Sequence, residues 1–353
     1  MSALARLLRA AGLTGRGGAD FPTGTKLELA QRHNAELIVN ACDGELDARK
    51  DGWVIAHHLS EVLEGAGLLT ARRIRFAAHR GSGTWETLRA AGVDTLAVPH
   101  RYVSSEESAL TRLAHGGPAR PVMRFEPITA GGRVGGSARR LAPTLVLNAE
   151  TVWRVQQIVE HGPRWFRSFG TADEPGPRLV TLVDGVAVPG VYSAEAGLML
   201  REILDCGGGL TGSARAIWLS GLSGGFVAAD DLSRIRWSRA GLGPYGIGPG
   251  AGTVHILAEA ADPWPRVLRA LIYAVGESAG QCGPCMFGLP AVLGDLTTVL
   301  RAGPTAQSTG TLTRRLGLVT GRGACRYPDG VAGFVGSALR TFLPPVEEDP
   351  CHR

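Results

Sequence analysis

The chain has 353 residues, of which 44% are hydrophobic, enough for two or three domains with cores of their own. Its formal charge of +5 comes from scattered arginines, with no basic stripe and no interleaved aromatics; this argues against nucleic acid and for an acidic protein partner. No run of apolar residues approaches the ~20 needed to cross a bilayer, and no cleavable signal peptide is expected before the glycine-rich segment at Gly15, so a cytoplasmic protein without direct membrane insertion is expected.

Residues 1–170 read as α/β. Short apolar runs at Leu37–Asn40, Ile74–Ala78 and Thr95–Val98 predict strands, and helical spacing covers Trp53–Glu64 and Trp85–Ala91. Thr171–Pro177 reads as a linker. Leu179–Val183, a turn at Asp184-Gly185 and Val186–Tyr192 predict a hairpin, followed by a short helix over Leu198–Asp205. Residues 178–240 therefore fit a small hairpin-plus-helix domain of β-grasp type, with Cys206 as a buried small residue. Helical spacing then recurs over Pro263–Val275, Leu289–Arg301 and Val331–Phe342, predicting a helical bundle over 262–345.

Two sites of chemistry stand out. Near the C-terminus, Cys282-Gly283-Pro284-Cys285 and a distant Cys325 present thiolates in the manner of an iron–sulfur site. Six cysteines with this spacing suit metal or redox use better than a disulfide framework. Near the N-terminus, Gly15-Arg16-Gly17-Gly18-Ala19-Asp20-Phe21-Pro22-Thr23-Gly24-Thr25-Lys26 combines a glycine loop, which lets a backbone approach a phosphate, with a point charge. Of the 37 basic residues only two are lysine, Lys26 and Lys50, in a composition that otherwise favours arginine.

The glycine string closely resembles the flavin-binding motif of the NADH-binding flavoprotein subunit of respiratory complex I, whose pattern is GRGGAGFPTGxK. Further matches follow in order along the chain. Asn40–Glu45 is similar to NADEGEPG, Arg49–Asp51 to FKDR, Arg101–Leu110 to AYICGEETAL and Pro143–Thr151 to PTTVNNVET. Gly280–Cys285 is similar to CGxCxPC, and Ala324-Cys325 to the last cluster ligand. The electron-transferring subunit of ion-pumping ferredoxin–NAD complexes shares a similar glycine motif, but Tyr102–Leu110 and the C-terminal bundle resemble the complex I type.

The resemblance implies an α/β flavin domain, a β-grasp soluble-ligand-binding domain and a C-terminal helical iron–sulfur domain. It implies FMN contacts at Gly15, Arg16, Gly17, Gly18, Lys26, Asn40, Asp43, Tyr102 and Asn148, and Glu106 and Glu107 bordering the nicotinamide or tuning the flavin. Cys282, Cys285 and Cys325 would hold a cluster, either 4Fe–4S with an open site or 3Fe–4S. The implied activity is that of an FMN and iron–sulfur NADH dehydrogenase-like subunit, passing electrons from NAD(P)H to a ferredoxin-like or other redox protein or to a membrane reductase. The short form suggests a stand-alone or small-complex role.

Five departures from the family pattern stand against this. Ala279 replaces the first cluster cysteine, leaving Cys351 or His352 as candidate replacement ligands. Cys42 replaces an acid expected in the flavin pocket. Asp20 replaces a glycine and puts a carboxylate beside the expected phosphate site. Leu147 replaces an asparagine. Leu29 and Met123 stand where aromatic residues stack on the nucleotide. These departures define the rival expectation, a non-catalytic interaction or scaffold relative that has lost the cluster and NADH binding.

Overall fold

The computed structural model describes residues 2–123, 126–133 and 140–343; Cys351 and His352 lie outside the described residues. The first helices are α1 (Ala3–Ala11), capped by the Ser2 hydroxyl accepting from the Ala5 N–H, and α2 (Thr23–Arg32). Between them runs the glycine loop. The chain then alternates through β1 (Glu36–Asn40), α3 (Lys50–Leu69), β2 (Ile74–His79), α4 (Gly83–Ala90), β3 (Thr95–Val98) and α5 (Glu107–Ala114). A two-stranded ribbon of β4 (Gly132–Arg133) and β5 (Arg140–Leu141) leads into β6 (Thr144–Asn148) and α6 (Ala149–Phe166).

The first sheet has the order β3-β2-β1-β6, and every neighbouring pair in it is parallel. From β1 the chain winds outward through β2 and β3 on one side, while β6 returns on the other. Two adjacent strands whose connections leave in opposite directions open a crevice at their carboxyl ends, which is where such sheets bind ligands. Here Asn40 and Asn148 face each other in register at that crevice. The three expected strands are present. β6, read in the sequence only as part of a motif, is the fourth strand and completes the crevice.

A second sheet follows, made of β7 (Pro177–Leu182), β8 (Gly190–Glu195), β9 (Ala214–Leu219), β10 (Gly225–Ala228) and β11 (Thr253–Ala258), with α7 (Leu200–Cys206) and α8 (Arg239–Leu242) between strands. Its order is β10-β9-β11-β7-β8. The expected β7–β8 hairpin is present. The expected boundary at residue 240 falls short, because β11 is the central strand, parallel to β7 and antiparallel to β9. Cys206 is exposed rather than buried; it sits in the last turn of α7, where its thiol reaches the Glu202 carbonyl 3.4 Å away.

The last part is helical: α9 (Trp264–Glu277), α10 (Leu289–Ala302), α11 (Ala306–Val319) and α12 (Tyr327–Phe342). α11 has no counterpart in the sequence reading. These helices share one core with the outer face of the second sheet, where Trp218 and Phe226 pack on Phe334. By length and composition Pro284–Ala302 could cross a membrane, contrary to the sequence expectation, but Leu289, Val292, Leu296 and Val299 are buried in this shared core.

Candidate cofactor site

A cavity of about 750 Å³ opens at the carboxyl ends of β1 and β6, a size suited to a cofactor. The glycine loop, α2, the segment after β1, the start of α5 and the loop before α12 all contribute walls. Gly15, Gly17, Lys26, Asn40, Asp43, Tyr102, Glu106, Glu107, Asn148 and Cys325 all line it. Residues from near both ends of the chain thus meet around one space.

The glycine loop is tied down from beneath. The Arg16 N–H donates to Thr151 Oγ1 over 2.9 Å, so the loop rests on the first turn of α6. A Cβ at Gly17 would collide with the Asn148 side-chain amide. The missing side chain therefore lets the loop and the end of β6 close on the same ligand. Arg16 and Gly18 are placed differently from the sequence expectation. The Arg16 guanidinium is buried, donates to the Pro175 carbonyl (3.1 Å) and Thr14 (3.2 Å), and lies over the Phe166 ring. Gly18, with a φ of +97°, turns its α-carbon against the Gly250 backbone.

Lys26 projects from α2 into the cavity. Its ammonium donates to the Val146 carbonyl at 2.8 Å and pairs with Glu107 Oε1 at 2.6 Å. Glu106, expected to act on the ligand, caps α5: its Oε2 accepts from the N–H groups of Ser108 (2.8 Å) and Ala109 (3.1 Å). Asn40 is also partly committed, donating to the Ser105 carbonyl and accepting from the Cys42 N–H.

Two departures read as threats to the flavin turn away from it. Asp20 has a φ of +49°, a left-handed conformation that swings its carboxylate out of the cavity and onto Arg178 of β7. Arg239 lies 3.8 Å from its second oxygen. Asp20 therefore locks the glycine loop to the second sheet instead of repelling phosphate. Cys42 is buried among Ile38, Ala77, Val98, Leu110 and Val146, and its thiol pKa is pushed well up by burial and then by Asp43.

The sequence reading missed the buried charge network under the cavity. Lys50 pairs with Asp51 Oδ2 at 2.8 Å and Glu150 Oε2 at 3.1 Å. Asp51 Oδ1 accepts from the Glu150 N–H, and Glu150 Oε1 from the Leu179 N–H of β7. The signals in the sequence were the rarity of lysine and the place of Lys50, Asp51 and Glu150 inside two of the family motifs, neither of which shows that they pair. Asp43 caps α3 with both carboxylate oxygens, accepting from the Asp51 and Gly52 N–H groups at 2.9 and 2.7 Å. Burial and then the Asp51 charge push its pKa up to about 7, against the pull of Lys50. An acid raised in this way adds stability below its unfolded value of 3.8, and that stability is lost as pH climbs through about 7. Asp43→Asn is therefore expected to flatten the fall in unfolding free energy between these pH values; urea titrations across that range check it, and an unchanged slope would assign the dependence to another group.

Glu45, also missed, joins three parts of the molecule. It accepts from the Tyr102 hydroxyl (2.5 Å) and from the Leu222 N–H (2.9 Å) and Ser223 hydroxyl (2.9 Å) beyond β9. The Tyr102 ring packs on Tyr327 with centroids 4.9 Å apart, and Tyr327 opens α12 just after Cys325.

Cys282 and Cys285 lie at the turn between α9 and α10, and the electrostatics of Cys285 is influenced by both Cys282 and Cys325. Burial first, then the neighbouring thiols, push the Cys285 pKa up to about 12, while burial holds that of Cys325 at about 11. The backbone at Ala279 and at Tyr327 offsets part of the rise at Cys285 and Cys325 respectively. Among the described residues no three His, Cys, Asp or Glu side chains are close enough to hold a single ion. Cysteine thiolates in this spacing are the ligand type that iron–sulfur clusters take.

A glycine loop closing with a lysine on a crevice between parallel strands, beside thiols that face one another, defines a protein built to carry a flavin and an iron–sulfur cluster. Comparison with known proteins narrows this. Residues 8–157 match the family model described as the Nuo51 FMN-binding domain, and residues 266–349 that of the NADH-ubiquinone oxidoreductase-F iron–sulfur binding region. The F subunit of the NADH-quinone oxidoreductase of Streptomyces coelicolor is 28% identical over 97% of this chain and 81% of its own length. A second F subunit of this kind, from Rhizobium meliloti, is 27% identical over 99% of this chain and 90% of its own. The crystal structure of an NAD+-reducing NiFe-hydrogenase in the H2-reduced state superposes with a TM-score of 0.83 at 25% identity, over 96% of this chain. The chain spans 61% of the length of that hydrogenase chain. The chain belongs to the family of NADH-binding flavoprotein subunits of complex I type, as a divergent member.

Proposed function

We propose that this protein is an FMN and iron–sulfur oxidoreductase subunit that passes electrons between a two-electron donor, NADH or NADPH, and a one-electron carrier protein. The observation that carries this is the shared wall: the loop bearing Cys325 lines the same cavity as Lys26, Asn40 and Asn148. Bound FMN supplies the conversion between two-electron and one-electron chemistry, which the side chains here do not. Lys26 and the backbone of Gly15–Gly17 hold the phosphate end. Asn40, Asp43 and Asn148 orient the rest from the strand ends, and Glu107 sets the charge beside Lys26. Tyr102 and Tyr327 close the side towards the cluster.

In this reading residues 1–170 form the flavin domain. The second sheet, extended from 178–240 to include β11, is a β-grasp domain, and 262–345 carry the cluster. The curated relatives are named as subunits, and the positive charge of the chain suits an acidic ferredoxin-like carrier or a membrane-bound reductase, met in the cytoplasm. The placement of Asp20 weighs against a flavin-free scaffold, since its carboxylate is held by Arg178.

Phe21 offers the nicotinamide nucleotide an aromatic face. Phe21 lines the cavity and is 48% exposed there. Phe21→Ala is expected to raise the KM for NADH about tenfold with little change in flavin content, given roughly 1 kcal/mol for a ring contact plus its lost area; an unchanged KM would place the nucleotide elsewhere.

An anaerobic absorbance titration of the iron-reconstituted protein with NADH, then dithionite, tests the function. Flavin and cluster bands bleached by NADH are expected. Bleaching by dithionite alone would mean another donor, and a colourless protein would overturn the reading.

A further inference from the structure

The cluster motif supplies three cysteines where a four-iron cluster takes four, and the surroundings of the fourth position decide what is bound. That position is Ala279. It is 5% exposed and belongs to the apolar core with Cys285, Leu289, Tyr327 and Val331. Its methyl group offers no ligand atom, and it is buried in that core. Of the polar side chains two residues to either side, the Gln281 amide donates to the Pro121 carbonyl, and a Glu277 carboxylate oxygen accepts from the Tyr102 N–H at 2.8 Å. Glu106, whose charge reaches Cys325, has an oxygen on the N-terminus of α5. An iron in this corner would face a methyl group. A cluster lacking that iron needs no fourth protein ligand there.

We propose that Cys282, Cys285 and Cys325 hold a three-iron 3Fe–4S cluster, with the fourth corner closed by the buried side chain of Ala279. This rests on the iron–sulfur reading above and specifies the group. Its consequence is functional, because cluster type is among the determinants of reduction potential. The cluster would carry one electron at a time, with no iron open to an outside ligand.

The full chain, reconstituted anaerobically with ferrous iron and sulfide, is analysed for iron, sulfide and flavin and by electron paramagnetic resonance. The expected result is three irons to four sulfides, with a signal in the oxidised protein that is lost on one-electron reduction. Ala279→Cys supplies the missing thiolate and is expected to reverse the pattern: a fourth iron, silence when oxidised and a signal when reduced. Cys325→Ala is expected to lose the cluster but keep its flavin. A wild-type protein with the four-iron pattern overturns this proposal and leaves the iron–sulfur reading standing, as does a three-iron signal that survives in Cys325→Ala. No cluster in either wild type or Ala279→Cys, with flavin bound, overturns both.

Discussion

Lys26→Ala is expected to leave a folded protein that no longer retains FMN. The Lys26 ammonium faces the cavity, where it touches the Val146 carbonyl and Glu107. Lys50, the other lysine, also borders the cavity but is buried and paired with Asp51 and Glu150. A charge-assisted contact to phosphate is worth about 1.5–3 kcal/mol, and losing it also leaves Glu107 facing the phosphate without its cation. Together these predict a loss of affinity of about a hundredfold or more. Flavin absorbance after gel filtration and a fluorescence titration measure it. Lys26→Arg should keep part of the binding, since it preserves charge but not the compact ammonium. Lys26→Ala combined with Glu107→Gln should recover some of what Lys26→Ala alone loses. Full flavin content in Lys26→Ala would place the phosphate site elsewhere.

Lys50→Met is expected to have the largest effect on stability. Lys50 is 2% exposed, and burial works against its charge. Asp51, Glu150 and Asp43 nevertheless hold its pKa above the ordinary lysine value. Removing the ammonium strands two buried carboxylates, and breaking a buried pair from one side costs about 3–5 kcal/mol. The same carboxylates order the start of α6, through the Glu150 N–H, and β7, through the Leu179 N–H. The variant should therefore lose flavin as well as stability. Denaturant unfolding measures the deficit, and Lys50→Met with Glu150→Gln should restore part of it. A deficit below about 1 kcal/mol, the scale of an exposed pair, would show that the network is not held by its charges.

The site was legible in sequence to the extent that its chemistry is local. Glycines followed by a lysine, and cysteines three apart, are short-range patterns, and the first of them lines the cavity together with Cys325. The apolar runs of β1, β2 and β3 were visible for the same reason, as side-chain spacing reports local burial. β6 was hidden because its defining property is pairing with β1, about a hundred residues away. α11 was hidden because its exposed face is polar and only Leu312, Leu316 and Val319 mark the buried one.

Residue type alone determined which side chains could bind phosphate, hold a thiolate cluster or carry a buried charge. It also determined that Ala279 could not ligate iron. Direction and partnership were decided only in three dimensions. Asp20 sits beside the phosphate loop in sequence, yet one left-handed backbone angle hands its carboxylate to Arg178, 158 positions on. Arg16 stands inside the glycine string, yet its guanidinium reaches Pro175. Lys50 stood out by its rarity, but its partner Glu150 lies a hundred residues away. Composition and spacing specify what a side chain can do, whereas a dihedral angle and long-range packing decide which neighbour it does it with.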